Sequence, residues 1–256
     1  MNTNSNQNKR THRDARIIYE PTGPAREYSD RACNIYKGCQ HGCRYCFGKR
    51  RLSPNQKQDY DTKPNPKEFF FEKLRYKAAK MNGDTPEILL SFLGDVYQPA
   101  EMELGLTRET IKILIQNRLP FTILTKGGTR AVRDFDLLES YGRSRFGTSL
   151  VFMDQKYSDY WEPGAASIRG RIEAIQEAHN RGIPTWVSVE PVIDPRQALE
   201  VISSLSSIVD HWKVGKINHQ KAVEAGVDWI GFREEVRILF DDLGADYYLK
   251  KSLTEL

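Results

Sequence analysis

Short apolar runs alternate with amphipathic segments along the chain from residue 32 onward. The runs are typical of buried strands, and the segments between them repeat apolar residues at helical spacing. Strands are expected at residues 32–36, 88–93, 121–124, 146–151, 185–189 and 211–217, with an edge strand at 246–249. Helices are expected at residues 66–80, 106–117, 131–140, 167–181, 195–205 and 232–243, the first opened by Pro66 and the second capped by Thr107.

Repeated β–α units imply a parallel sheet with right-handed crossovers. About six units fit the length, fewer than the eight of a complete barrel, so the predicted fold is α/β, a partial (β/α)6 TIM-type barrel. Polar and Gly-rich segments follow the strands in sequence. Because chemistry in parallel α/β folds sits at the carboxyl ends of the strands, these segments are the expected site.

The 256-residue length suits a single domain, expected over residues 17–256 without a linker or internal repeat. Residues 1–16 are polar and aperiodic, which predicts a disordered basic tail containing Lys9, Arg10, Arg13 and Arg16. No apolar run approaches the length of a membrane span, and the first residues lack the apolar centre of a secretory signal. Cytoplasmic residence is therefore expected. The formal net charge of +4 is too small to imply a nucleic-acid partner by itself.

The chain's four cysteines, Cys33, Cys39, Cys43 and Cys46, all lie within fourteen positions. A disulfide framework would spread its cysteines along the chain, so this grouping predicts a local ligand loop. The last three have the spacing C-x3-C-x2-C, and soft thiolates suit an iron–sulfur cluster or zinc. Structural zinc sites and fully ligated cubanes normally take four protein ligands. Three thiolates would leave one iron open for chemistry, while Cys33, in a predicted strand, is expected to be a small buried hydrophobe.

Two other interpretations of the loop remain open. Positions 39, 43 and 46 also share one face of a helix, where buried cysteines need no metal, although Gly38 and Gly42 disfavour a helix there. His41 could complete a zinc knuckle. The softness and number of the thiolates favour the cluster.

The C-x3-C-x2-C spacing with Tyr45 before the last cysteine, in the loop after the first barrel strand, resembles the signature of radical S-adenosylmethionine (SAM) enzymes. More narrowly, the chain resembles the spore photoproduct lyase-like, or "DNA repair photolyase", branch over about residues 30–255. The segments that carry this resemblance are 34–46, 94–101, 125–126, 162–164 with Arg171, and 190–195.

The resemblance implies a [4Fe–4S] cluster on Cys39, Cys43 and Cys46 and S-adenosylmethionine as second cofactor. The amino and carboxylate groups of SAM would chelate the open iron. An electron from the cluster would then release methionine and a 5′-deoxyadenosyl radical, which abstracts hydrogen from the substrate. A reductase or flavodoxin-type electron donor is the implied partner.

The resemblance also assigns cofactor-binding roles to individual side chains. Tyr45 and Phe47 would flank the adenine, Lys126 would pair with the methionine carboxylate, and Ser149 would contact the same cofactor. Residues near the amino, ribose or carboxylate groups, or the substrate, are Asp95, Gln98, Glu162, Arg171 and Glu190, with Lys216, Asn218 and His219 closing the ring. Ordinary structural roles stay open for several of them. Tyr45 and Phe47 could be core aromatics, Lys126 solvated and Asp95 a turn cap, and Glu162 could pair with Arg171.

One departure concerns the end of the reaction. Photoproduct lyase returns a hydrogen from a cysteine after strand two, whereas residues 90–95 here contain none. Tyr97 is the candidate catalytic substitute.

The lyase resemblance and the cations around the loop (Lys37, Arg44, Lys49, Arg50 and Arg51) favour a nucleic acid or modified nucleobase as substrate. The alternatives are a radical enzyme acting on a peptide or small molecule, and a non-enzymatic nucleic-acid-binding protein with a structural metal.

Overall fold

The computed structural model describes residues 17–50, 52–81 and 83–256. The basic tail predicted for residues 1–16 and the side chain of Arg51 therefore lie outside the described residues. The ten described strands are β1 (Ile18–Tyr19), β2 (Arg31–Cys33), β3 (Tyr36–Lys37), β4 (Asn65–Pro66), β5 (Ile88–Leu90), β6 (Phe121–Thr125), β7 (Ser144–Ser149), β8 (Thr185–Val192), β9 (His211–Lys216) and β10 (Tyr247–Leu249).

The described α-helices lie between the strands in sequence, in three places two in succession, and one follows the last strand. They are α1 (Pro54–Thr62), α2 (Phe70–Ala78), α3 (Glu101–Leu104), α4 (Leu106–Gln116), α5 (Phe135–Tyr141), α6 (Gln155–Trp161), α7 (Ile168–Asn180), α8 (Pro195–Leu205), α9 (Lys221–Ala225), α10 (Trp229–Leu243) and α11 (Lys251–Thr254). Among the described residues, no helix combines the length and apolar content required to cross a bilayer.

One eight-stranded sheet has the order β1-β2-β5-β6-β7-β8-β9-β10, and β3 and β4 form a separate pair. All neighbours in the large sheet are parallel except β1 and β2. Strands β2, β5, β6, β7, β8 and β9 are the six predicted strands, and β10 is the predicted edge strand. The α/β partial-barrel prediction is therefore confirmed.

Two layers of apolar side chains hold the sheet. The larger lies between the outer sheet face and the helices, for example Ile111 and Leu114 of α4 and Ala174 and Ile175 of α7. The smaller lies inside the barrel, where Ala32, Leu89 and Trp186 are buried; Tyr28, Phe92 and Leu124 pack against them. The smaller layer fills only part of the barrel interior, and the polar loops lie at the carboxyl edge of the sheet.

The helix starts correct two predictions. The helix expected from Pro66 begins at Phe70, because Pro66 is instead paired with Tyr36 in the β3–β4 ribbon. Thr107 is not an N-cap: Gly105, with φ +63°, ends α3 and precedes α4. The hydroxyl of Thr107 donates to the Val96 carbonyl at 2.7 Å.

The helix predicted at residues 131–140 is also only partly α-helical. Residues 128–134 form a 3-10 helix before α5 begins. Helices α1 and α6 were not predicted, and both lie against the cysteine loop.

Candidate functional site

The cysteine loop follows β2 at the carboxyl edge of the sheet, as the topology predicts. Residues 38–46 form turns and irregular backbone, so the buried-helix interpretation of the cysteines is wrong. Cys43 is buried and Cys39 and Cys46 are partly exposed. Burial raises the pKa of the Cys43 thiol; Lys126 opposes this rise, and Glu162, Cys39 and Cys46 add to it.

Three of the four cysteines lie in the loop, and soft thiolates are the donor type that iron–sulfur clusters take. Cys33 is fully buried in β2, and burial raises the pKa of its thiol to about 12, as expected for a packing residue. Within the described parts of the chain, no three His, Cys, Asp or Glu side chains converge as the ligands of one metal ion do. The thiolates of a cubane bind different irons and so stand further apart than the ligands of one zinc ion.

His41 belongs to the scaffold around the first cysteine. Its Nδ1 lies 3.4 Å from Asp95 Oδ2 and its Nε2 lies 3.3 Å from the Arg130 guanidinium. Burial alone would raise the pKa of the Cys39 thiol, but the neighbouring His41 outweighs burial and lowers it. Both ring nitrogens of His41 therefore contact protein side chains, and neither is free to bind zinc in this arrangement.

The loop after β5 braces the cysteine loop through two glutamines. Gln98 accepts a hydrogen bond from the Gln40 backbone N–H at 2.9 Å and donates to the Gly38 carbonyl at 3.4 Å. Gln40 in turn accepts from the Ala100 backbone N–H at 2.6 Å. Gln98 is fully buried, and both polar atoms of its side chain are engaged with the loop. Its predicted contact with the cofactor amino group stays a prediction.

Two unpredicted helices hold the other sides of the loop. The Cys39 N–H donates to the Tyr60 carbonyl on α1 at 2.7 Å, and the Arg44 N–H donates to the Trp161 carbonyl on α6 at 2.8 Å. The Gly164 N–H donates to the His41 carbonyl at 2.9 Å. Sequence reasoning missed Tyr60 because α1 is polar and has no buried residue, and it missed Trp161 because α6 has only seven residues.

Asp95 ties three loops together. Its carboxylate accepts hydrogen bonds from the Tyr97 N–H (2.8 Å), the Thr125 hydroxyl (2.5 Å) and the Lys126 N–H (2.7 Å). Burial alone would raise the pKa of Asp95, but His41 and these donors bring it below its usual value. Asp95 thus acts as a turn cap, and its role toward the cofactor stays a prediction.

Glu162 is the centre of a buried ionic cluster. Its carboxylate lies 2.5 Å from Arg171 Nη1 and 3.9 Å from Lys126 Nζ, and it accepts a hydrogen bond from the Tyr45 hydroxyl. Arg171 also donates to the Ser149 carbonyl at 3.1 Å. The structure therefore brings together five predicted residues and contains the Glu162–Arg171 pair.

The charges in this cluster compensate for burial. The side chains of Glu162 and Arg171 are 0% and 1% exposed, and that of Lys126 is 15% exposed. Burial alone would raise the pKa of Glu162, but Arg171 and Lys126 lower it below its usual range. Burial alone would lower the pKa of Lys126, but Cys43 and Glu162 raise it. The cluster thus holds its carboxylate and ammonium charged beside the cysteines.

Glu190 lies in a second polar cluster inside the barrel. Strand β8 has a register irregularity between Val189 and Val192, which re-aims the intervening side chains. Glu190 accepts from the Tyr28 hydroxyl and forms an ion pair with Lys250 Nζ at 2.9 Å. Neither partner was predicted, since both come from segments far away in sequence.

The remaining predicted residues are dispersed. The Phe47 ring is 57% exposed, Lys216 is half-buried, and Asn218 and His219 are exposed. Tyr97 is fully buried, and its hydroxyl donates to Asp134 Oδ2 at 3.0 Å. Asp134 also pairs with Arg108 of α4, in the helical layer. This placement gives no support to Tyr97 as a hydrogen donor.

Known proteins resemble the chain in both sequence and fold. The family profile described as the radical SAM superfamily matches residues 33–203. The uncharacterized protein MJ0683 of Methanocaldococcus jannaschii is 27% identical over 160 residues, covering 62% of this chain and 59% of the relative. Rv2578c of Mycobacterium tuberculosis, also uncharacterized, is 30% identical over 166 residues, covering 62% and 48%. The chain thus spans about half the length of these relatives.

A solved structure matches nearly the whole chain. It is a double mutant of spore photoproduct lyase with bound AdoMet and dinucleoside spore photoproduct. Its TM-score is 0.67 at 13% identity, over 93% of this chain and 79% of the other. At this identity the match establishes the fold.

Proposed function

Because the chain belongs to the radical SAM superfamily, we propose that it is an enzyme that holds a [4Fe–4S] cluster on Cys39, Cys43 and Cys46 and cleaves SAM reductively. The observation that carries this proposal is a loop with three thiols and no fourth, beside two cations that share one carboxylate, the buried Arg171 and the partly exposed Lys126. When bound, the cluster supplies the electron that splits SAM into methionine and a 5′-deoxyadenosyl radical, which takes a hydrogen atom from the substrate.

Lys126 is the side chain best suited to a ligand carboxylate. Its ammonium lies 3.9 Å from Glu162, whereas Arg171 lies 2.5 Å from the same carboxylate. The looser contact and the partial exposure leave Lys126 free to accept a second anion. The Tyr45 ring, whose centroid is 5.6 Å from Lys126 Nζ, offers an adjacent flat surface.

We further propose that the substrate is a nucleic acid or a modified nucleobase. The barrel interior presents the partly buried rings of Tyr28 and Phe92. Lys213, Lys216 and Lys250 lie on strands β9 and β10 or next to them, with Glu190 as the acid facing Lys250. Flat rings suit a base, and surplus cations suit a phosphate.

Cysteine replacement with a matched control tests the cluster. Anaerobic reconstitution of the full chain should give about four iron and four sulfide per chain. Adding SAM and a reductant should then give 5′-deoxyadenosine. Cys39→Ala, Cys43→Ala and Cys46→Ala should each lose both, whereas Cys33→Ala should keep both because Cys33 only packs in β2. Uptake of zinc alone, or equal losses in all four variants, would contradict the proposal.

Isotope transfer tests the substrate. Reduced enzyme is incubated with SAM and deuterated oligonucleotide, and 5′-deoxyadenosine is examined for deuterium. Label transfer and salt-dependent binding support a nucleic-acid substrate. Active SAM cleavage with neither label nor binding at physiological salt would instead favour a peptide or small-molecule substrate.

A further inference from the structure

Helix α1 lies against the cysteine loop although it has no buried residue of its own. A capping box at Ser53 fixes its start, and an ion pair at 2.9 Å joins Asp61 in its last turn to Lys49, three residues after Cys46. The Lys49 and Asp61 side chains are only 14% and 31% exposed. A nine-residue helix without an apolar face has little stability by itself. Contacts with the cysteine loop and the residues that follow it therefore hold α1 in place.

Tyr60 of α1 contacts both ends of the C-x3-C-x2-C loop. Its carbonyl accepts a hydrogen bond from the Cys39 N–H at 2.7 Å, and its hydroxyl is hydrogen-bonded to the Cys46 side chain. The hydroxyl oxygen also accepts a hydrogen bond from the Gly94 N–H, in the loop after β5. A thiolate that binds a metal can only accept hydrogen bonds. When Cys46 is a ligand, the hydroxyl hydrogen of Tyr60 must therefore point to its sulfur.

Two glycines leave room for the polar atoms of Tyr60. A Cβ at Gly38 would lie 2.7 Å from the Tyr60 carbonyl oxygen, and a Cβ at Gly48 would lie 2.9 Å from the Tyr60 hydroxyl oxygen. Both distances are too short for a carbon and an oxygen that are not bonded, so any larger residue would displace one of these contacts. Gly38 and Gly48 stand on either side of the three cysteines in sequence. The close approach of Tyr60 is thus provided for at both ends of the loop.

The Cys46 sulfur has two hydrogen-bond donors in this arrangement, the Tyr60 hydroxyl and the Gly48 N–H. A reduced iron–sulfur cluster carries one more negative charge than the oxidised cluster. Donors to its sulfurs therefore stabilise the reduced form more and raise the reduction potential. The hydroxyl of Tyr60 thus has a consequence for the cluster that the ring and the carbonyl of the same residue do not have.

We propose that Tyr60 is a positioning residue that raises the reduction potential of the cluster by donating its hydroxyl hydrogen to the Cys46 sulfur. The proposal rests on the proposed function, because it needs a cluster on the loop. A purely structural role would depend instead on the ring and the carbonyl, which hold α1 against the loop. The two roles are separable, since phenylalanine keeps the ring and the carbonyl and lacks only the hydroxyl.

A redox titration of the reconstituted protein, followed by electron paramagnetic resonance of the reduced cluster, tests the proposal without SAM or substrate. At the midpoint potential of the unaltered protein, Tyr60→Phe should lower the ratio of reduced to oxidised cluster by on the order of 10-fold. For a one-electron couple this is a fall in the midpoint of about 59 mV. The iron and sulfide content should stay as in the unaltered protein. The matched control, Tyr157→Phe, removes a hydroxyl from α6, where the residue is 42% exposed, and should leave the midpoint unchanged.

Gly48→Ala tests the same hydrogen bond while leaving the hydroxyl in the protein. The added Cβ would displace the Tyr60 hydroxyl, whereas the backbone N–H of residue 48 remains. The midpoint should therefore fall in the same direction as in Tyr60→Phe. In Gly48→Ala/Tyr60→Phe the fall should be no larger than in Tyr60→Phe, because both changes remove one interaction.

A midpoint in Tyr60→Phe equal to that of the unaltered protein would overturn the inference, as would fully additive falls in the double variant. Loss of iron in Tyr60→Phe but not in Tyr157→Phe would also overturn it, because the hydroxyl would then serve the folding of the loop. If the unaltered protein took up no iron, the proposed function would fail together with this inference. A normal cluster with an unmoved midpoint would overturn the inference alone.

Discussion

Glu162 holds two cations beside the cysteine loop, and its replacement by Gln removes their shared negative charge. Arg171, with a side chain 1% exposed, would then be left in a dry site without its counterion. Removing one partner of a buried ion pair typically destabilises a protein by about 3–5 kcal/mol. For a chain of this size that corresponds to a fall in Tm of about 6–20 °C.

Thermal or denaturant unfolding, followed by circular dichroism, measures this effect. The matched control is Glu87→Gln, whose carboxylate pairs with Arg145 where the two side chains are 24% and 36% exposed. Because this pair is partly solvated, that change should destabilise the protein less than Glu162→Gln does. Glu162→Gln/Arg171→Met removes both charges and should recover part of the loss.

The pH dependence has a defined sign. Because the pKa of Glu162 is lower in the folded protein than in the unfolded chain, its contribution to stability is complete above the unfolded value. That contribution is lost as pH falls through the folded pKa. Glu162→Gln should therefore weaken the acid dependence of unfolding below about pH 4.3. If Glu162→Gln were as stable as Glu87→Gln, the assignment of Glu162 as the buried counterion would be refuted.

Two further perturbations give outcomes that differ in kind. In Gly164→Ala the added Cβ would lie 2.0 Å from the Gln40 carbonyl oxygen, so the cysteine loop must shift and iron uptake should fall. The control is Gly226→Ala, where the nearest atom to the added Cβ is 3.5 Å away and iron uptake should stay unchanged. Burial lowers the pKa of Lys213 to about 8. Between that pH and about 10.5 the unfolded chain therefore binds more protons than the folded protein, and the free energy of unfolding should rise with pH. Lys213→Met should flatten that rise in denaturant titrations, whereas the exposed Lys112→Met should not.

The fold was predictable where one physical signal dominated. Apolar runs such as Ile88–Leu90 and Phe121–Thr125 are buried almost throughout, and their alternation with amphipathic helices allows few topologies. Helix α1 was missed because it is polar, has no buried residue and begins with a Ser53 capping box instead of an apolar stripe. Thr107 shows the converse, since a residue type suited to capping was drawn into a tertiary hydrogen bond.

The site was predictable in its ligands and less so in its supports. Local spacing is enough to group Cys39, Cys43 and Cys46, whereas Tyr60 and Lys250 reach their positions only through the packing of distant segments. Tyr97 is the clearest example of this limit. It follows β5 in sequence as a site residue would, yet its hydroxyl is directed to Asp134 in the helical layer.

The central claim is that one iron of the cluster has no protein thiolate and is therefore open to SAM. Electron paramagnetic resonance of the reduced, reconstituted protein, recorded before and after SAM is added, tests it most directly. We expect the signal of a reduced [4Fe–4S] cluster whose g-values shift when SAM binds. A cluster signal that SAM leaves unchanged, or a protein that contains no iron after reconstitution, would contradict the account.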